Sequence, residues 1–146
     1  MLKTFHGRAI APGSVTAEAV VTKNGFNTLA SMQMMFIQPK TKCVDQSNPD
    51  LFNKILGGKA LCLPQTIGST TGGMFLFSAV ESGKAPACLL FSKEIDSLAA
   101  AGAVLSDVWS AHKMPVVDKL GDEFLDFVQD GDRISVKEDG TVLVLR

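Results

Sequence analysis

The sequence predicts an α/β chain with a mixed β/β/α fold: a mixed sheet that contains a parallel β-α-β-α-β unit, with further strands at both ends. Three observations predict it. Between Leu56 and Val117, short apolar runs alternate with helical stretches, and glycine and proline mark the joints. Before that region, Lys3–Ala11 and Val15–Thr22 flank the turn Pro12-Gly13. After it, Arg133–Val136 and Thr141–Leu145 flank Glu138-Asp139-Gly140, which is hairpin grammar. A chain of 146 residues, 46% hydrophobic and 20% charged, is long enough for one core and short for two, so one domain over residues 1–146 is expected.

Taken in order, the first two extended segments break at Pro12-Gly13 because proline removes a donor and glycine tolerates the turn. From Lys23 to Asn53 the signal is weak: a turn at Asn24-Gly25, a methionine-rich run at Ser31–Ile37, and a polar stretch from Pro39 to Pro49. That reads as a long irregular excursion. Ala60–Leu63 is a short apolar strand ended by Pro64, and a helix over about Gly72–Ser82 closes at Gly83-Lys84-Ala85-Pro86. Ala87–Phe91 is the next strand. Ser97–Ala101 reads as alanine-rich turns closed by Gly102, and Ala103–Leu105 and Met114–Val117 as a further strand pair.

Charge and composition narrow the function classes. Fourteen basic and 15 acidic residues give a net charge of −1, without a basic block or an acidic tail, so nucleic acid and anionic membranes are poor candidates as partners. No segment approaches membrane-spanning length and the opening lacks a signal-peptide pattern, which makes a cytoplasmic protein the expectation. The three cysteines form no C-x-x-C pair. Cys62 and Cys88 sit in apolar runs and read as small buried hydrophobes, whereas Cys43 sits in a polar stretch and could be exposed. With only His6 and His112 besides, no metal site is expected in this chain.

Between the strand Ala60–Leu63 and the helix lie Gln65-Thr66-Ile67-Gly68-Ser69-Thr70-Thr71-Gly72-Gly73. That order delivers three hydroxyl residues to a helix N-terminus, where backbone N–H groups and the positive dipole end collect. Four readings compete. A phosphate loop of the Walker type needs a lysine directly after its glycines, and none occurs before Lys84. A hydrolase elbow needs G-x-S-x-G with a histidine base, and the spacing Gly68-Ser69-Thr70-Thr71-Gly72 is wrong. A phosphohistidine swivelling domain needs a histidine shortly after the loop, and none lies between His6 and His112. The plain alternative is a tight turn that caps a helix, although three hydroxyls between Gly68 and Gly72-Gly73 exceed what one cap needs.

Further residues bring a family into view. His6-Gly7-Arg8-Ala9-Ile10-Ala11-Pro12-Gly13, Asn48-Pro49-Asp50-Leu51 with Leu56-Gly57-Gly58-Lys59-Ala60-Leu61, Gly68-Ser69-Thr70-Thr71, Lys84-Ala85-Pro86-Ala87 and Met114-Pro115-Val116-Val117 recur in this order. The chain resembles the small, swivelling-domain subunit of the aconitase X family, nearly end to end. The resemblance implies a dehydratase half that works with a cysteine-bearing large subunit. That partner would hold an iron–sulfur cluster acting as Lewis acid on the departing hydroxyl; no cofactor is expected in this chain itself. It implies Ser69 as the base that moves the proton on the neighbouring carbon, with Gly68, Thr70, Thr71 and Gly72 binding substrate. Thr71 stands where aconitase proper has an arginine, and Ile67 where the family's phosphate-handling Gly-Arg-Gly-Ser-Ser-Ser version has one. The sequence is therefore more similar to members that dehydrate cis-3-hydroxy-L-proline to pyrroline-2-carboxylate, with mevalonate 5-phosphate as the alternative substrate.

Physical chemistry sets the scale of what the loop can do. A free serine is too weak a base without an anion-stabilising setting. A helix N-terminus contributes about 0.3–1 kcal/mol when exposed and up to about 2 kcal/mol when partly buried. Aimed N–H donors contribute on the order of 3–4 kcal/mol each. Closure by the partner would have to supply the remainder. A rival from another class is a binding module that captures a small carboxylate without chemistry. His6 and Arg8 read as structural or interfacial, Lys93, Glu94 and Asp96 as a solvated helix start, and Trp109 and Phe91 as core or interface. Met32, Met34, Met35 and Phe36 fit either core filler or an apolar face that docks the large subunit.

Overall fold

The computed structural model describes residues 1–68 and 72–146. The strands are β1 (Leu2–His6), β2 (Arg8–Ala11), β3 (Val15–Val21), β4 (Phe26–Asn27), β5 (Ala60–Leu63), β6 (Thr66–Ile67), β7 (Cys88–Phe91), β8 (Val116–Asp118), β9 (Arg133–Val136) and β10 (Thr141–Leu145). The helices are α1 (Thr28–Met32), α2 (Gly72–Glu81), α3 (Ser97–Trp109) and α4 (Asp122–Phe127), with a 3-10 turn at Met35–Ile37.

Eight strands share one sheet in the order β1-β10-β9-β3-β5-β7-β8-β2, and β4 and β6 form a separate parallel pair. Strand β3 belongs to both halves of the sheet. Val15–Glu18 pair antiparallel with β9, and Ala19–Val21 pair parallel with β5. β5, β7 and β8 are parallel neighbours connected through α2 and α3. The expected mixed sheet with a parallel β-α-β-α-β unit is what the chain forms. β1 and β2 are separated in sequence by Gly7 alone, yet occupy opposite ends of the strand order, so the sheet curls back on itself. The Gly7 N–H donates to the Gly140 carbonyl at that seam, at 3.0 Å.

Every residue of β5 and β7 is buried, because the pleat sends alternate side chains to two different cores. Leu61, Leu63, Leu89 and Phe91 pack with Leu76, Ala79 and Val80 of α2 and Ala99 and Ala103 of α3. Ala60, Cys62, Cys88 and Leu90 face Ile134, Val136, Val142 and Val144 of the antiparallel half, with Phe124 of α4 in the same cluster. The layers are thus sheet, sheet and helices. Burying each large apolar side chain contributes about 1.5–3 kcal/mol.

Four expectations need correction. Ala103–Leu105 is not a strand, and Gly102 does not end the alanine-rich turns; both lie inside α3. A Cβ on Gly102 would stand 2.4 Å from the Gly73 carbonyl oxygen, and one on Gly73 would stand 2.4 Å from that of Leu98. The two helices touch backbone to backbone, so glycine serves close approach there and not termination. Cys43 is fully buried rather than exposed. The excursion folds back on itself through Cys43 N–H to Lys54 O and Asn53 N–H to Cys43 O. The first extended segment is two strands broken at Gly7. Of the residues left open between core and surface, Phe91, Met32 and Met35 are buried, whereas Met34, Phe36 and Trp109 are exposed.

Candidate functional site

Ser69, Thr70 and Thr71 lie outside the described residues. Their neighbours do not. Gly68 and Gly72 meet in one cavity of about 200 Å³, lined also by Thr28, Thr66, Ile67, Gly73, Asp96, Leu98 and Ala99. It lies where β5 ends and α2 and α3 begin, at the C-terminal edge of the parallel strands, the usual place for a ligand in such sheets. Complete small-molecule sites run to about 300–1,000 Å³. The cavity is smaller than that range.

Gly68 has φ +121, and a Cβ there would come within 3.1 Å of the Asn27 side chain, so both backbone and space require glycine. Asn27 accepts a hydrogen bond from Ala30 N–H at 3.0 Å and thereby caps α1. The parallel pairing of Phe26 with Thr66 and Asn27 with Ile67 lays β4 beside the residues that enter the serine segment. On the far side Gly72 opens α2; among the described residues nothing lies within 4 Å of where a Cβ would stand, and the first turn carries no acidic residue.

The other wall of the cavity is Asp96. Its Oδ2 accepts from Ala99 N–H at 3.0 Å as the cap of α3, and its Oδ1 accepts from the Thr66 hydroxyl. Behind it Asp118, fully buried at the end of β8, accepts from Arg8 Nε at 3.0 Å, Arg8 Nη2 at 2.7 Å and Ile95 N–H at 2.9 Å. The hydrogen bond to Asp118 raises the Arg8 guanidinium above its ordinary value. Sequence reasoning placed Gly68 and Gly72 together and missed Asn27, Thr66 and Asp118. Asp96, read with Lys93 and Glu94 as a solvated helix start, is exposed and stands at the start of α3 as its N-cap.

The remaining chemistry-bearing groups lie elsewhere. Burial pushes the Cys88 thiol up to about 12 and the Cys62 thiol well above its usual range, and burial also raises Cys43. Cys62 and Cys88 sit between the two sheet halves and Cys43 in the other core cluster, so these residues do not fit a cluster or a nucleophile. Among the described residues no group of His, Cys, Asp and Glu could hold a metal ion, and no helix is long and apolar enough to cross a membrane. His6 is exposed, with its Nδ1 3.4 Å from the Thr141 hydroxyl.

Comparison with known proteins supplies the frame for this geometry. The family described as Aconitase X swivel domain matches residues 4–144. The phosphomevalonate dehydratase small subunit of Methanosarcina mazei is 29% identical over 90% of this chain and 83% of its own length. The cis-3-hydroxy-L-proline dehydratase of Pseudomonas aeruginosa is 27% identical over 80% of this chain, which corresponds to 19% of that protein. In fold, the crystal structure of Thermococcus kodakaraensis aconitase X superposes with a TM-score of 0.83 at 23% identity, covering 99% of each chain. On these matches the chain belongs to the aconitase X swivel-domain family, as a component of a dehydratase.

Proposed function

We propose that this chain is the small subunit of a two-subunit hydro-lyase that removes water from a 3-hydroxy carboxylic acid, with mevalonate 5-phosphate as substrate. The observation that carries the substrate is the match to the Methanosarcina mazei small subunit along most of both chains. It supports this alternative better than the hydroxyproline reading drawn from the loop sequence. Ser69 takes the proton on the carbon beside the carboxylate, and the electron pair left behind forms the double bond as the neighbouring hydroxyl departs. Gly68, Thr70, Thr71 and Gly72 hold the carboxylate through backbone N–H groups and hydroxyls. The cavity between Gly68 and Gly72 supports this, since it lies where α2 begins and the first turn there carries no acidic residue. The iron–sulfur cluster belongs to the large subunit, because the buried thiols of this chain do not suit one. That subunit closes the site and supplies the cations for the phosphate.

Two features favour a second reading, cis-3-hydroxy-L-proline. Ile67 occupies the place of the phosphate-version arginine, and the described lining of the cavity carries a carboxylate, Asp96, and no basic side chain. A carboxylate suits a substrate ammonium and opposes a phosphate. The two are separated by purifying this chain with its large subunit and offering both substrates in parallel. Turnover of mevalonate 5-phosphate upholds the first reading. Turnover of cis-3-hydroxy-L-proline alone replaces it with the second, and turnover of neither, by a complex that retains iron, leaves a carboxylate-binding module.

A further inference from the structure

A helix cap needs one acceptor oxygen, and Asp96 uses both of its own. One caps α3 through Ala99 N–H, and the other takes the Thr66 hydroxyl across the mouth of the cavity. Thr66 lies two residues before Gly68, on the strand that leads into Ser69. The same segment of chain grips the end of β5 through Ser92 N–H to Leu63 O at 3.0 Å and Lys93 N–H to Pro64 O at 3.4 Å. It is itself held from behind by Ile95 N–H to the buried Asp118, which Arg8 clamps from a strand 110 residues away. A run of contacts therefore leads from β2 through Arg8, Asp118 and the 92–96 segment to Thr66, two residues before Gly68.

We propose that Asp96 is a positioning residue for the dehydration: through Thr66 it fixes Gly68 and so the entrance to Ser69, and Asp118 with Arg8 fixes Asp96. This rests on the reading of Ser69 as the base. Misplacing a reacting group by about 1 Å can cost on the order of 100-fold in rate, so a hydrogen bond remote from the substrate can control turnover without touching affinity. Thr66→Val keeps the shape and β-branching and removes only the hydroxyl.

The test uses the assembled two-subunit enzyme with whichever of the two substrates it turns over. Thr66→Val is expected to lower kcat about 10-fold or more, with KM and melting temperature little changed. Asp96→Ala should lower kcat equally and also the melting temperature, since it removes the cap. The double variant should fall no further in kcat, because both changes break one link. With mevalonate 5-phosphate, Asp96→Asn, which keeps a capping oxygen and an amide that can donate to Thr66, should restore most of the rate. Amide hydrogen exchange of peptide 66–72 in the free chain should quicken in Thr66→Val, a readout independent of the reaction. Unchanged exchange together with unchanged kcat in Thr66→Val overturns the proposal. Loss of turnover in Ser69→Ala but not in Thr66→Val also overturns it and leaves the base in place. Full turnover in Ser69→Ala overturns the reading on which it rests, and the positioning role with it.

Discussion

The segment after β5 and the segment after β7 start from the same position. Each leaves the C-terminal end of a buried parallel strand and leads into a helix of the same layer. They are built from opposite materials. Residues 92–96 are charged, end in a carboxylate cap, and are fastened by Lys119 N–H to Lys93 O, Leu120 N–H to Phe91 O and Gly121 N–H to Ser92 O at 2.8–3.1 Å. Residues 64–72 carry four hydroxyl residues, two glycines and no charge, and α2 opens on Gly72-Gly73 with no acidic side chain in its first turn. A carboxylate at a helix N-terminus satisfies the N–H groups and the dipole that would otherwise attract a ligand. Of two equivalent corners, one is closed by its own side chain and made into scaffold. The other carries no carboxylate of its own in the first turn of its helix, and its entering strand is tied to Asp96 of its neighbour through Thr66.

Ser69→Ala gives the sharpest division between the two corners. It should reduce kcat of the assembled enzyme on the order of 1,000-fold, with KM changed far less, because an interaction made in the transition state is lost. Steady-state kinetics of a complex shown to assemble decide it, and near-normal turnover would make both corners scaffold. Next in size, Gly102→Ala inserts a methyl group 2.4 Å from the Gly73 carbonyl and forces α3 off α2. A loss of about 3 kcal/mol in denaturant unfolding is expected, and a loss below the error of the measurement would mean that the helices can part freely. Asp118→Ala should cost about 1–3 kcal/mol by leaving the buried Ile95 N–H without its acceptor. If the closed corner has its own sources of order, the stability will not move.

The strands beneath the two corners should behave alike. Cys62 on β5 and Cys88 on β7 both have thiols raised by burial, Cys88 to about 12 from a value of 9.0 in the open chain. A group whose pKa is raised by folding stabilises the fold while protonated, so its contribution is complete below pH 9 and declines as pH rises toward 12. Urea midpoints should fall across that window, and Cys88→Ala should flatten the fall; an unaltered slope would mean the strand is wetter than its packing indicates. The smallest effect belongs to Glu94, exposed and 3.7 Å from Arg8. Glu94→Gln should leave kcat and melting temperature unchanged, since the clamp on Arg8 is Asp118 and not this surface pair.

What could be read from the chain depended on whether the cause was local. β5 was legible to the residue, because a buried run bounded by Gly58 and Pro64 has local edges, and the β9–β10 hairpin declared itself through Asp139-Gly140. α3 was misread because Gly102 has the composition of a stop, while its reason for being glycine is Gly73, some thirty residues earlier. α4 escaped notice although Asp122 and Glu123 supply the acidic first turn that a helix start favours. The burial of Cys43 follows from backbone pairing with Lys54 and Asn53, which a polar sequence does not announce. At the site, the glycines that flank the serine segment stood out from their own neighbours, and the role expected of Ser69 came from the family resemblance alone. Asn27 and Asp118 reach the same edge only through the fold, so nothing in their surroundings along the chain marks them.

The seam at Gly7 has a consequence for how the molecule is made. β1 pairs along its whole length with β10, and Met1 and Arg146 exchange backbone hydrogen bonds. The β-α-β-α-β middle can fold from near neighbours, whereas closing the sheet requires Leu2–His6 to find Thr141–Leu145. Contacts of such long sequence separation form slowly, and until they do β1 and β9 present unpaired edges to one another's copies. For this fold the vulnerable interval is the one before that ladder closes, and β10 is the strand whose loss would leave β1 without its ladder partner among the described residues.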